Sequence, residues 1–346
     1  MFYLWQRIAE EDRRRVWRLY GWFSALMACG SCFGAATWVV RMMQFSYYIK
    51  GLRSSDVIEQ YSMLALSYSY RPSFTVTYAI EFLFLSVAKL LVLDRMTDFA
   101  VPGSDSLRKR VRIARWCVLV GVVLGNSIGL LSNIVAAVFY QKAANAISTA
   151  SYYLNAGNIS IANDYYQLHR EELQRAFSIS SAQAFCEVAV LLLIVSAFAA
   201  AGVLCALRIS SSLRVVQLPS NSEAVVSGRK LRLQVVLTTT VVFFAFVLRS
   251  VFSIMYAVAY ELQNSGNSKN CDVGLSFCDD QCYNVYTHIV QWMALTPEFQ
   301  LMVVLLSSPV ALLVALWGMT SELALRLMGL APPVFAATRP LMTREN

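Results

Sequence analysis

Six apolar blocks, each long enough to cross a bilayer as a helix, constrain this chain more than any other feature. A hydrocarbon core of about 30 Å needs roughly 20 apolar residues of helix. Residues 19–43, 74–93, 116–140, 178–207, 235–260 and 287–319 meet that length. Pro297 and Pro309 lie inside the last block. It reads as one tilted or kinked span, because proline removes a backbone donor and bends a helix. The alternative is a short surface helix followed by a span from about Phe299. The first block is too long for a signal-peptide core and lacks a small-residue cleavage site, so it reads as a signal-anchor.

Composition agrees with this pattern. Charged residues make up 14% of the 346, against about 25% in soluble domains. Disorder is excluded by the same balance. The net charge of +8 does not suit a nucleic-acid reader, because the basic residues sit between apolar blocks and not on one polar face. The expected fold is all-α, a multi-pass transmembrane bundle of six spans forming one domain over residues 1–346.

The basic residues orient that bundle. Of 29 Lys and Arg, 19 fall in the N-terminal segment, the second loop, the fourth loop and the C-terminal tail. Eight fall on the other side, among them Arg41 at the outer end of the first block and Arg71 in the connection before the second, and Lys89 and Arg249 lie within spans. The alternation puts both termini in the cytoplasm. Asn158-Ile159-Ser160 is a glycosylation sequon, and it falls in a connection assigned to the outside. Cys271, Cys278 and Cys282 share the last outside connection, where an oxidising compartment permits one disulfide among the three. Cys29, Cys32, Cys117, Cys186 and Cys205 lie in apolar spans and read as small hydrophobes.

Catalytic chemistry is poorly supplied. The two histidines are His169 and His288. The chain has no His-Glu-x-x-His zinc motif and no Gly-x-Ser-x-Gly elbow. No Asp lies in the interior of a span; Asp94 is at the end of the second. His288 reads as an interfacial polar residue, and His169, beside Arg170 and Glu171, as solvated surface. The expectation is therefore no enzyme, no cofactor and no metal site.

Polar residues inside the spans carry more information. Glu81, Glu187, Arg249 and Glu298 lie about 10 to 16 Å from the outer ends of four spans at ~1.5 Å per residue. They form one layer in the outer half. An unpaired charge at such depth costs several kcal/mol, so Arg249, the cation of that layer, requires a carboxylate. Glu298 on the adjoining span is the first candidate and Glu187 the second. The layer is either a structural clamp or a ligand pocket. An ion path carries less weight, since no internal repeat of the transporter kind is visible. Lys89 lies near the cytoplasmic end of its span and is expected to snorkel outwards.

Gly121, Gly125 and Gly129 put three small residues on one face of the third span, with Asn126 and Asn133 on the same helix. Close backbone approach of this kind serves packing within the bundle first and a homodimer seam second. Residues 321–330 read as an amphipathic helix lying on the membrane surface, with Glu322 and Arg326 paired at i,i+4. Phe2, Trp5 and Ile8 suit the interface in the same way.

Several stretches carry a resemblance. Gly228-Arg229-Lys230-Leu231, followed by a Thr-rich apolar helix ending Phe246-Val247-Leu248-Arg249, resembles the sixth helix of the tobamovirus-multiplication protein family. The run from Leu85 to Leu93, with Lys89 at its centre, is similar to that family's third helix. Pro297-Glu298 resembles its last helix, with the order of proline and acid reversed. The resemblance covers about residues 74–320. It implies a seven-helix, receptor-like plan with the first helix missing. It also implies an endomembrane (vacuolar-type) or plasma-membrane protein that binds partner proteins on its cytoplasmic face and has no enzymatic activity. The basic segments 94–115 and 208–234 are then the expected partner-binding regions. A channel or secondary transporter built on the Glu/Arg layer is the alternative.

Overall fold

The computed structural model describes residues 10–100, 105–215 and 223–265, together with 284–285, 288–289 and 292. Within them the chain is helical. The helices are α1 (Glu10–Arg53), α2 (Val57–Ala100), α3 (Asp105–Asn155), α4 (Ile159–Val215) and α5 (Glu223–Ser265). Five helical segments have the length and apolarity to cross a membrane: Gly21–Arg53, Val57–Asp94, Lys109–Asn155, Ile159–Arg208 and Val236–Ala259. They coincide, to within two residues at the shared ends, with the first and fifth expected spans and contain the second, third and fourth. The sixth, 287–319, lies outside the described residues apart from positions 288, 289 and 292. The disulfide candidates Cys271, Cys278 and Cys282, the carboxylate Glu298 and the amphipathic segment 321–330 also lie outside them.

The helices run well past the bilayer. α4 has 57 residues, or ~86 Å at ~1.5 Å per residue, nearly three times the hydrocarbon thickness. Much of the chain between the apolar blocks, expected as polar connections, is therefore helix. Segment 94–115 continues α2 to Ala100 and starts α3 at Asp105, and segment 208–234 likewise continues α4 and starts α5. The helix extends because alanine, which carries the best helix propensity, recurs where α3 meets α4. Ala136, Ala143 and Ala150 are buried at seven-residue steps on α3, and Ala162 and Ala176 are buried on α4. Small side chains at that spacing let two helices lie close over a long seam.

The turns are locally encoded. Between α1 and α2, Asp56 caps α2 by accepting from the Ile58 amide at 3.0 Å, as an N-cap carboxylate does. Between α3 and α4, Gly157 has φ of 78°, a left-handed conformation that glycine adopts without strain. Its amide and that of Asn158 bond back to Leu154 and Tyr153, which closes α3 as a Schellman cap. Asn158 is exposed at this tip, and its side-chain oxygen accepts from the Ile161 amide at 3.4 Å.

The bundle has two unlike halves. In the half away from Asp56 and Gly157, Leu85, Val92, Val122, Ile194, Phe198 and Phe246 form a dry core across α2 to α5. Phe198 and Phe246 meet edge to face at 5.5 Å. Gly121 and Gly125 press this half together: a Cβ on them would come within 2.8 Å of Leu193 and 2.3 Å of Val190, both on α4. The glycine face is thus occupied inside the bundle. Gly129 differs, since a Cβ there would meet nothing within 4 Å. Large apolar side chains such as Trp22, Leu124, Leu131, Val203 and Phe244 point outward and are exposed. Water would penalise so continuous an apolar exterior, and lipid does not.

Candidate functional site

The half of the bundle nearer Asp56 and Gly157 encloses a cavity of about 90 Å³. All five helices contribute to its wall. Arg41 comes from α1, Arg71 and Glu81 from α2, Asn133 from α3, Glu187 from α4 and Arg249 from α5.

Its floor is a hydrogen-bonded charge cluster. Arg249 is 6% exposed and Glu187 5%, and they form an ion pair at 3.3 Å. Tyr78 lies between them. Its hydroxyl accepts from Arg249 at 2.5 Å and donates to Glu187 at 2.7 Å. Ser253 donates to the same carboxylate at 3.0 Å and Gln183 at 3.3 Å. Four side chains thus donate to Glu187. A buried ion pair offsets its desolvation only when its remaining lone pairs are satisfied in this way. Of the two partners expected for Arg249, Glu187 is in contact; Glu298 lies outside the described residues.

Glu81 lines the same floor but stands apart from the network. Among the described residues its carboxylate makes no hydrogen bond or ion pair. It lies against Gly34 of α1, where a Cβ would come within 3.0 Å of its Oε1. Asn133 also borders the cavity. It is 3% exposed, and no side chain or backbone group among the described residues bonds to it.

The opposite end of the cavity holds two more cations. Arg41 stacks on Phe45 at 4.3 Å and Phe74 at 4.7 Å. It donates to Gln44 at 2.8 Å and to the Tyr256 hydroxyl at 3.4 Å, while its Nε is buried without a partner among the described residues. Arg71 stacks on Tyr140 at 4.6 Å and Phe177 at 4.8 Å. Sequence reasoning treated both as charges of the outside connections and treated Arg249 as the cation of its layer. The structure brings all three arginines to one cavity: Arg41 lies in the last turn of its apolar block, and Arg71 joins it because α2 begins well before the second block.

Two further expectations are corrected. Lys89 does not snorkel. It is 1% exposed, with its ammonium 4.7 Å from the Phe246 ring centroid and 5.9 Å from that of Phe82. Its position on α2 faces the core, and the helix runs on for eleven residues beyond it, so the solvent expected nearby is absent. His169 is not solvated surface. It is 4% exposed, its Nδ1 is 2.8 Å from the Ala143 carbonyl, and it meets Tyr68 edge-on at 5.0 Å. The extended α3–α4 hairpin and the start of α2 cover it. His288 is exposed.

The fold and the cavity define a polytopic integral membrane protein of helical spans with a polar, charge-lined site inside the bundle. No protein-family model, no curated protein and no solved structure matches the chain.

Proposed function

We propose that this chain is a receptor-like integral membrane protein. It takes a ligand into the cavity from the outer side and engages a protein partner on the cytoplasmic side. The observation that carries this reading is the asymmetry of the site. The cavity narrows at the Arg249–Glu187 floor to a space of about 10 Å³ beside Glu187, Asn133 and Gly125, and among the described residues the bundle beneath is packed mainly with apolar side chains. A cup closed on one side suits a receptor, whereas a transporter needs access to both sides.

The charge bias of the connections supports placing both termini in the cytoplasm and Asp56, Gly157 and the Asn158 sequon outside. On that topology the basic ends of α2 and α3 (94–115) and of α4 and α5 (208–234) face the partner. Lys109, Arg110 and Arg112 are exposed there. The resemblance of the stretches around Lys89 and Arg249 to the tobamovirus-multiplication family fits this arrangement. No catalytic role is assigned. The membrane is an endomembrane or the plasma membrane.

Secondary transport is a second reading, favoured by Lys89. It follows Glu81 by eight residues, on the same face of α2, and places a polar group in the otherwise apolar core. Two assays separate the readings. Affinity capture should recover a partner that charge reversal at Lys109, Arg110 and Arg112 releases. Proteoliposomes should carry no substrate or ion flux above empty vesicles. Flux abolished by Lys89→Met overturns the receptor reading.

A further inference from the structure

Two carboxylates and one guanidinium meet at the floor of the cavity. Glu187 takes the guanidinium of Arg249 in an ion pair at 3.3 Å, and Tyr78, Gln183 and Ser253 complete its shell. Glu81 has no such company. Among the described residues its carboxylate makes no ion pair and no hydrogen bond, although it borders the cavity. The other cations are distant along the helices. Arg71 is ten residues from Glu81 on α2 and Lys89 eight, which is ~15 and ~12 Å of helix. The carboxylate rests against Gly34, and Arg41 is seven residues beyond that glycine, or ~10 Å of helix.

Asn133 borders the same space. It is 3% exposed and has no hydrogen-bond partner among the described residues, so its amide oxygen is available as an acceptor. It also borders the smaller space of about 10 Å³, together with Glu187 and Gly129, which has room for about one water. An unmet carboxylate and an unmet amide oxygen therefore line one cavity. An unpaired charge within a span costs several kcal/mol, and a cation beside Glu81 removes that cost.

Volume and charge decide what kind of cation fits. About 90 Å³ is less than the roughly 150 Å³ cavity that takes up benzene, and it equals about three waters at ~30 Å³ each. A ligand of benzene size or larger is excluded, whereas one inorganic ion with its remaining waters fits. Calcium takes roughly six to eight oxygens, several of them from carboxylates, and a single uncommitted carboxylate does not supply them. A monovalent ion needs no more than one. The arginines of the wall do not outweigh that attraction. The Arg249–Glu187 pair carries no net charge. Coulomb energy falls with distance, so an ion at ~2.5 Å from Glu81 gains more than it loses to Arg41, Arg71 and Lys89 together at ~10 to ~15 Å.

From these features we infer that the cavity binds a small monovalent cation of the sodium class, with Glu81 as its charged ligand, Asn133 as its neutral ligand and water completing the shell. With the ion bound, two positive charges face two carboxylates at the floor, and the Asn133 amide gains a partner. This inference deepens the reading of the cavity as a ligand site open to the outer side and rests on it. The ion is held at the floor and not carried past it, because the bundle beneath is packed mainly with apolar side chains.

The full-length protein is placed in nanodiscs of phosphatidylcholine, whose headgroup has no net charge. Binding of radiolabelled sodium is measured by scintillation proximity at constant chloride, with N-methylglucamine, too large for the cavity, as the replacement cation. The expected result is saturable binding of a single ion, displaced by unlabelled sodium and not by N-methylglucamine. Glu81→Gln keeps the side-chain shape and removes no bond found among the described residues. It should weaken binding about tenfold or more, the scale of one lost charged interaction. Asn133→Ala should weaken it by a smaller factor. A ligand that binds the native state raises its stability by mass action, so sodium should raise the unfolding temperature of the wild type in a saturable way and not that of Glu81→Gln. That second readout also shows that the variant is folded. No saturable sodium binding, wild-type affinity in either variant, displacement by N-methylglucamine, or displacement by calcium at lower concentration than by sodium would overturn the inference. One-sided access of thiol reagents to the cavity would survive those failures, so the ion and the underlying reading are tested separately.

Discussion

The two halves of the bundle are built from the same helices and obey opposite rules. In one, Leu85, Val92, Val122, Ile194, Phe198 and Phe246 close the interior by apolar packing. In the other, Arg41, Arg71, Glu81, Glu187 and Arg249 keep it open and polar. Glycine marks the difference along a single helix. Gly121 and Gly125 lie where α3 meets α4 tightly, whereas one turn further on a Cβ at Gly129 would meet nothing within 4 Å, beside a small space of about 10 Å³. A helical bundle can thus carry a tight clamp at one level and a cavity at the next, with the change made by a few side chains per turn.

The largest expected effect breaks the polar half. Arg249→Leu removes the cation from a buried network and strands Glu187. Breaking a buried pair costs about 3–5 kcal/mol in soluble proteins, and less in a bilayer, where alternative partners form. Thermal unfolding in nanodiscs should show a clear drop, and adding Glu187→Gln should restore much of it. A double variant no more stable than Arg249→Leu would mean that the pair is not what holds this half together.

A smaller effect sharpens the boundary between the halves. Gly125→Ala drives a methyl into Val190 and should cost about 1–3 kcal/mol, as overpacking does. Gly129→Ala should be neutral or slightly stabilising, since alanine is the better helix former. Equal unfolding temperatures for the two variants would erase the distinction between closed and open levels.

The third effect concerns the exception inside the apolar half. Lys89→Met keeps the side-chain length and removes a buried ammonium, and replacing buried charge by apolar volume is often neutral or stabilising. The variant should unfold at or slightly above the wild-type temperature. A marked loss of stability would show that the ammonium serves the fold.

Much of this architecture was legible in the sequence. Apolar blocks of bilayer length gave the first five spans, because length and hydropathy alone decide whether a helix can cross. That Glu81, Glu187 and Arg249 share a level of the bundle was legible too, because helical rise is constant. Residues at the ends of spans were not. Arg41 and Arg71 read as connection charges because hydropathy does not report how far a helix continues beyond the apolar block. The signal that could have exposed them is the matching seven-residue step from Arg41 to Gly34 and from Arg71 to Tyr78. Lys89 and His169 were misread for a related reason. Which face of a long helix turns inward depends on its neighbours, and neighbours are a tertiary property. Tyr78 gave no sequence signal at all, since a tyrosine in a membrane helix is ordinarily an interfacial residue.

The central claim is a polar cavity closed at its cytoplasmic end, and thiol accessibility tests it most directly. Thr75→Cys and Ser253→Cys place near-isosteric thiols in the cavity wall, and Ala88→Cys places one in the apolar core beneath it. Each is introduced into a chain whose native cysteines are replaced by serine or alanine, in sealed vesicles of known orientation, and treated with a membrane-impermeant thiol reagent. The account predicts that Thr75→Cys and Ser253→Cys react from the Asn158 side alone, and that Ala88→Cys reacts from neither. Reaction of Ser253→Cys from both sides, or of Ala88→Cys from the cytoplasmic side, would contradict it.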